Sequence, residues 1–171
     1  PQALKVTYQA TLSPSALTLQ WQLADLFLLA GNPLQIIQLW PQLLELQRGK
    51  MSANGELQLQ LPGGQLNQLF VQAQLNELYG IYDRTTFGGV TAQVSLEGDP
   101  RSFTLKLPEL VLKQLSHGFQ AGPARVAGQY RADWSAPAGG EVRLNQAQMG
   151  IFGGQLALEQ MQFNLKQPSI E

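Results

Sequence analysis

The chain has 171 residues, enough for one sizeable core, and its charged fraction of 13% is well below the roughly 25% of ordinary soluble domains, so its surface is polar but largely uncharged. A net charge of −1 without any basic block removes the phosphate-neutralising patch that nucleic acid requires, and no nucleic-acid partner is expected. The lack of cysteine excludes a disulfide framework and any thiolate nucleophile or thiolate metal site, and no run of about 18 apolar residues exists to cross a bilayer as a helix. The sequence opens on Pro1 rather than Met, which suggests a processed chain or a piece cut from something larger.

From its first residues the chain alternates. Leu4, Val6, Tyr8, Ala10 and Leu12 share one face of a first strand; after Ser13-Pro14-Ser15 come Leu17, Leu19, Trp21 and Leu23 on a second. Such a pair reads as an antiparallel hairpin. The exception follows in "NPLQIIQLWPQLLELQRG", where Leu34, Ile37 and Leu44 stand at helical spacing and Ile36, Leu39, Trp40, Leu43 and Leu46 widen the apolar side. Asn32 suits a cap and Pro33 a first helical position, Pro41 splits the segment and Gly49 closes it. A helical insertion is therefore expected over 33–47.

Alternation resumes at Met51, Ala53, Gly55, Leu57, Leu59 and Leu61, a strand of roughly 35 Å at about 3.3 Å per residue, longer than usual. Its polar side includes Gln58 and Gln60, part of a complement of 24 glutamines. Glutamine rows hydrogen-bond to water and to each other without the repulsion that rows of Lys or Glu would create. Later runs behave alike: Leu69 to Leu75, Val90 to Leu96, Phe103 to Leu107, and Val126, Gly128, Tyr130, Ala132 and Trp134. The parity slips between Leu144 and Ala147 and between Leu158 and Met161, which points to bulges or strand boundaries. Phe-Gly-Gly occurs at 87–89 and at 152–154, each time opening an alternating strand, which hints at internal repetition.

Catalytic chemistry is sparse. His117 is the sole histidine, the aspartates Asp25, Asp83, Asp99 and Asp133 are dispersed near turns, and no Gly-rich phosphate loop precedes a helix. No enzyme, no metal site and no cofactor is expected. A hydrolase built on His117 or Asp83 is the weakest reading, and it requires a polar pocket around them.

A sheet with one dry face can pack it on a second sheet, on lipid outside a membrane barrel, or around a cavity. Strands of ten or more residues are long for a sandwich, and the apolar 33–46 segment has no place on a lipid-facing barrel. The expected fold is mainly β with one short helical segment: a sandwich by default, a membrane barrel as the minority reading, or a long curved antiparallel sheet forming an open groove, a repeating half-barrel. An extended acyl chain suits such a greasy, unspecific channel. The residues placed on its dry face by parity are Val6, Tyr8, Leu17, Leu19, Trp21, Leu57, Leu59, Val94, Leu96, Val126 and Tyr130. The alternative is an assembly module in which the same leucines form a closed core and the edges recruit partner strands.

The stretches "GVTAQVSLEG", "PELVLKQLSHGFQAGPARVAGQYRADW" and "GGEVRLNQAQMGIFGGQLALEQMQFNL" resemble the C-terminal region of the YdbH family of Gram-negative envelopes, in the AsmA-like group that includes TamB. The resemblance rests on strand rhythm, glycine placement and the Phe152-Gly153-Gly154 turn over roughly 90–165. It implies that residues 1–171 are one β-groove domain, a C-terminal fragment of a periplasmic bridge anchored in the inner membrane by an N-terminal helix. It also implies that the groove carries phospholipids between inner and outer membranes, and that an outer-membrane lipoprotein of the YnbE type extends the sheet by strand addition.

Overall fold

The computed structural model describes residues 5–29 and 44–165. Within them the chain forms ten strands: β1 (Val6–Leu12), β2 (Ala16–Leu29), β3 (Leu44–Gln60), β4 (Gln65–Tyr82), β5 (Thr85–Gly98), β6 (Ser102–Leu112), β7 (Gln114–Ser116), β8 (Gln120–Asp133), β9 (Glu141–Ile151) and β10 (Gly154–Asn164). All pair antiparallel in one sheet, in the order β1-β2-β3-β4-β5-β6-β8-β9-β10, with β7 between β5 and β8. Since β5 and β8 also flank β6, β7 continues the line of β6 after a break at Lys113. The order follows the chain, because most of the described turns are short and join neighbours, the cheapest closure available.

Alternation dictates the faces, and the ladder carries it across the sheet. Tyr8 pairs with Trp21, then Gly55, Val71, Leu96, Leu105, Tyr130, Val142 and Phe163 follow in unbroken register. One residue away, Thr7, Gln22, Asn54, Gln72, Ser95, Lys106, Gln129, Arg143 and Gln162 form the equivalent row on the opposite face. Directly opposite side chains in such ladders lie close enough to pack or hydrogen-bond.

The slip expected after Leu144 is real: Ala127 pairs with Gln146 but Gly128 with Leu144, so β9 carries an extra residue against β8. In β10 the matching change falls at Gln160, which takes φ 52. Further register shifts escape the sequence reading, among them those at Leu23/Leu26 in β2, Leu75/Leu78 in β4 and Leu107/Leu110 in β6. These four interruptions lie on the same side of the Tyr8 to Phe163 row, towards the turns at 83–84, 117–119 and 152–153, whereas the shift at Gln58/Leu59 lies on the other. After each extra residue the leucines return to the apolar face, which is why a strict period of two fails there.

Two expectations are corrected. Leu44 to Gln47, the end of the expected helical insertion, is strand: Leu44 pairs with Tyr82 and Leu46 with Gly80. Ladder partners on β4 override a helical spacing that no local contact defends. Residues 33–43 of that insertion lie outside the described residues, and no helix occurs among the described ones. The two Phe-Gly-Gly tripeptides are also not equivalent. Phe87 and Gly88 are inside β5, paired with Leu115 and Gln114, whereas Phe152-Gly153 is the β9–β10 turn. A Cβ at Gly88 would stand 2.9 Å from the Tyr79 ring, while one at Gly153 would meet nothing within 4 Å, so the same letters answer different demands.

No second layer covers the sheet among the described residues. Its buried apolar residues are Leu78, Ala92, Ala121, Ala124 and Ala132, and no large side chain there is fully buried. Edge strands β1 and β10 are exposed along their whole length.

Candidate functional site

The eleven residues placed on the dry face by parity lie on one face. Val6, Leu23, Ala53, Ala73 and Val94 form one cross-strand row, Leu19, Leu57 and Leu69 the next but one, and Leu17, Leu59 and Leu66 a third. Tyr8, Trp21, Leu96 and Tyr130 belong to the long central row, and Val126 joins Leu110 and Ala147 beyond the β6 bulge. The same face also holds residues not singled out, among them Met51, Leu75, Leu105, Leu144, Met149, Leu156, Met161 and Phe163. Alternation alone marks most of them; those past a bulge need the register.

The face is dry in composition and wet in exposure. Tyr8 is 78% exposed and Leu12 73%, and Leu105, Leu156, Met161 and Phe163 are exposed as well. Leaving a leucine-sized side chain in water forgoes about 1.5–3 kcal/mol, so a contiguous patch of this extent marks a surface made to meet something apolar. Glycines on this face are roofed by neighbouring aromatics: a Cβ at Gly55 would lie 2.7 Å from the Trp21 ring, and one at Gly98 2.8 Å from Trp134. The rings thus lie over the sheet and smooth its apolar surface.

The opposite face completes its own polar contacts. Gln20 donates to Glu56 at 2.8 Å and Asn67 to Gln58. Lys50 pairs with Asp25 at 2.6 Å, Lys106 with Glu97 at 2.7 Å and Lys113 with Glu77 at 2.7 Å. These pairs are exposed and contribute little to stability, but they neutralise the face. Glu77 sits in the β4 bulge at φ 51, with its carboxyl held below the ordinary range chiefly by the Lys113 hydrogen bond, which raises Lys113 in turn. Arg48 lies 4.0 Å over the Tyr79 ring, whose hydroxyl donates to Glu77 at 3.2 Å.

The two ends of the strands differ. At one end Asp99 accepts hydrogen bonds from the backbone of Ser102 and Arg101 and from the Ser102 hydroxyl, which hold its carboxyl below the ordinary value. There Trp134 donates to the Asp99 carbonyl at 2.8 Å and packs on Phe103 at 4.6 Å, and Tyr130 donates to the Pro137 carbonyl at 2.6 Å. At the other end Phe119 and Phe152 meet at 5.6 Å, with Phe152 82% exposed at φ 50. The left-handed region costs a non-glycine residue about 1–2 kcal/mol, and both central residues of this two-residue turn adopt it, Gly153 at φ 77.

His117 is exposed in the β7–β8 turn, with its Nδ1 2.8 Å from the Thr85 hydroxyl, and Asp83 occupies the β4–β5 turn at φ 54. Among the described residues no group of three His, Cys, Asp or Glu side chains could hold a metal ion. The geometry offers an apolar surface rather than a reactive centre.

Comparison with known proteins bears on that surface. A family model described as YdbH-like, intermembrane phospholipid transport protein YdbH, matches residues 2–170. No curated protein and no solved structure matches the chain.

Proposed function

The chain belongs to the YdbH-like family of intermembrane phospholipid transport proteins, and from that premise we propose that its apolar face is a non-enzymatic conduit for phospholipid acyl chains. The observation that carries the reading is the unbroken row from Tyr8 to Phe163, free of charged and amide side chains and without a second layer over it among the described residues. Acyl chains need a continuous surface that binds without specific polar contacts, so that a lipid slides rather than lodges. The groove-like curvature this requires is supported by the bulges in β2, β4, β6 and β9, because an extra residue bends its strand and increases local twist.

In this reading Val6, Tyr8, Leu17, Leu19, Trp21, Leu57, Leu59, Val94, Leu96, Val126 and Tyr130 contact lipid, and the polar face looks to the periplasm. The full-length protein is anchored in the inner membrane. The bare β10 edge accepts a strand from an outer-membrane lipoprotein of the YnbE type, which satisfies its unpaired N–H and C=O groups. The alternative, an assembly module with a closed core, is disfavoured by the lack of any fully buried large side chain among the described residues.

A photo-crosslinker at Leu59 tests the conduit in cells. Phospholipid adducts at Leu59, and none from a crosslinker at Gln58 on the other face, are the expected result. Equal labelling at the two positions, or none at either, would refute it.

A further inference from the structure

Where β6 breaks before β7 lies a cavity of about 510 Å³, whose lining joins polar groups to Leu115, Ala121 and Ile151 and which the lipid reading does not use. Register brings its walls together. Thr86 on β5 pairs with Ser116 on β7, Ser116 with Gln120 on β8, and Gln114 with Gly88, so hydroxyls and amides from three strands share one face. These four side chains are exposed and make no hydrogen bond to another described residue. Gln20 and Gln58 elsewhere have a side-chain partner on a neighbouring strand; here four unpaired polar groups converge on one concavity. The strained, exposed Phe152 stands at its margin, stacked against Phe119.

We propose that this cavity is a binding site for a neutral, hydroxyl-rich ligand of the carbohydrate class, with Gln114, Ser116, Gln120 and Thr86 as hydrogen-bonding groups and Phe152 as a stacking platform. A sugar ring presents hydroxyls that both donate and accept, which matches amide and hydroxyl side chains, and a C–H face that packs on an aromatic ring. Its lack of charge fits as well. Lys113, the cation of the lining, is engaged with Glu77 at 2.7 Å, so the site offers an anionic phosphate no uncommitted charge from that residue. An extended peptide fits less well, because β7 is already paired on both sides and leaves no free ladder to extend. Phe152 also gains a reason for its backbone: Asn or Gly would suit the turn better, but neither supplies a ring.

Titration of the folded chain with chitotriose, followed by amide NMR, tests the assignment. Saturable shifts confined to Gln114, Ser116, Gln120 and Gly153 are expected. Affinity should fall roughly tenfold in Phe152→Gly, which relieves the turn and so keeps its melting temperature, and in the double variant Gln114→Ala, Ser116→Ala. Absent or dispersed shifts, equal affinity in the folded variants, or tighter binding of inorganic phosphate or of a Gln- and Ser-rich peptide overturns the proposal. Bound phospholipid is measured on the same samples. An unchanged load in the variants supports a site separate from the apolar face, and a load lost with the glycan shifts would make the pocket part of the lipid path and overturn the proposal. Failure of the conduit reading shows instead as wild-type protein without lipid but with the chitotriose shifts intact.

Discussion

The row from Thr7 to Gln162 and the row from Tyr8 to Phe163 run one residue apart across the same strands, and they differ in what each leaves unsatisfied. Side chains on the polar face form ion pairs and amide hydrogen bonds with one another and with water. Those on the apolar face pack against neighbours within the sheet but meet no second layer among the described residues. A single sheet is therefore stable as hydrogen-bonded backbone yet incomplete as a hydrophobic core. Binding apolar chains on one side is the same physics that, in a two-layer domain, would bind a second sheet.

The sharpest way to break this contrast is to place one charge on each face in turn. Leu57→Asp should reduce phospholipid retained through purification about tenfold or more, since a carboxylate in the middle of the face removes apolar contact and must be solvated; Gln72→Glu on the opposite face should leave lipid load unchanged, both read by mass spectrometry of the folded protein. A smaller effect is expected at Gly55→Val, where the new side chain meets the Trp21 ring. Overpacking of this kind costs about 1–3 kcal/mol, and a melting temperature lower by several degrees would register it.

Acid should also act through Asp99. Its carboxyl is held below the ordinary 3.8 by the Ser102 and Arg101 hydrogen bonds, so the stability it contributes is present above that value and is lost as pH falls through the lowered one. In Asp99→Ala the melting temperature is expected to lose this part of its pH dependence. Least affected is Glu77→Gln, which removes an exposed pair with Lys113: a small, salt-sensitive loss, read by thermal melts at low and high ionic strength, that leaves lipid load unchanged.

Much of this was legible from residues. Leu17, Leu19, Leu57 and Leu59 announce their shared face because side-chain direction alternates locally, with no knowledge of neighbours. The start of β3 misled for the complementary reason: Leu44 and Leu46 fit a helical segment, and only the β4 partners Tyr82 and Gly80 make them strand. The cavity was not legible, since Thr86 is far in sequence from Ser116 and Gln120, and all three look like ordinary loop polarity until β7 sets them side by side.

The sequence by itself determined a mainly β chain with one apolar and one uncharged polar face, because a period of two is a property of the extended backbone alone. Tertiary structure decided which strands are neighbours, where bulges restore the leucines to their face, and that β1 and β10 remain edges. Those outcomes depend on hydrogen bonds between residues tens of positions apart, and no local pattern encodes the register in which such distant segments meet.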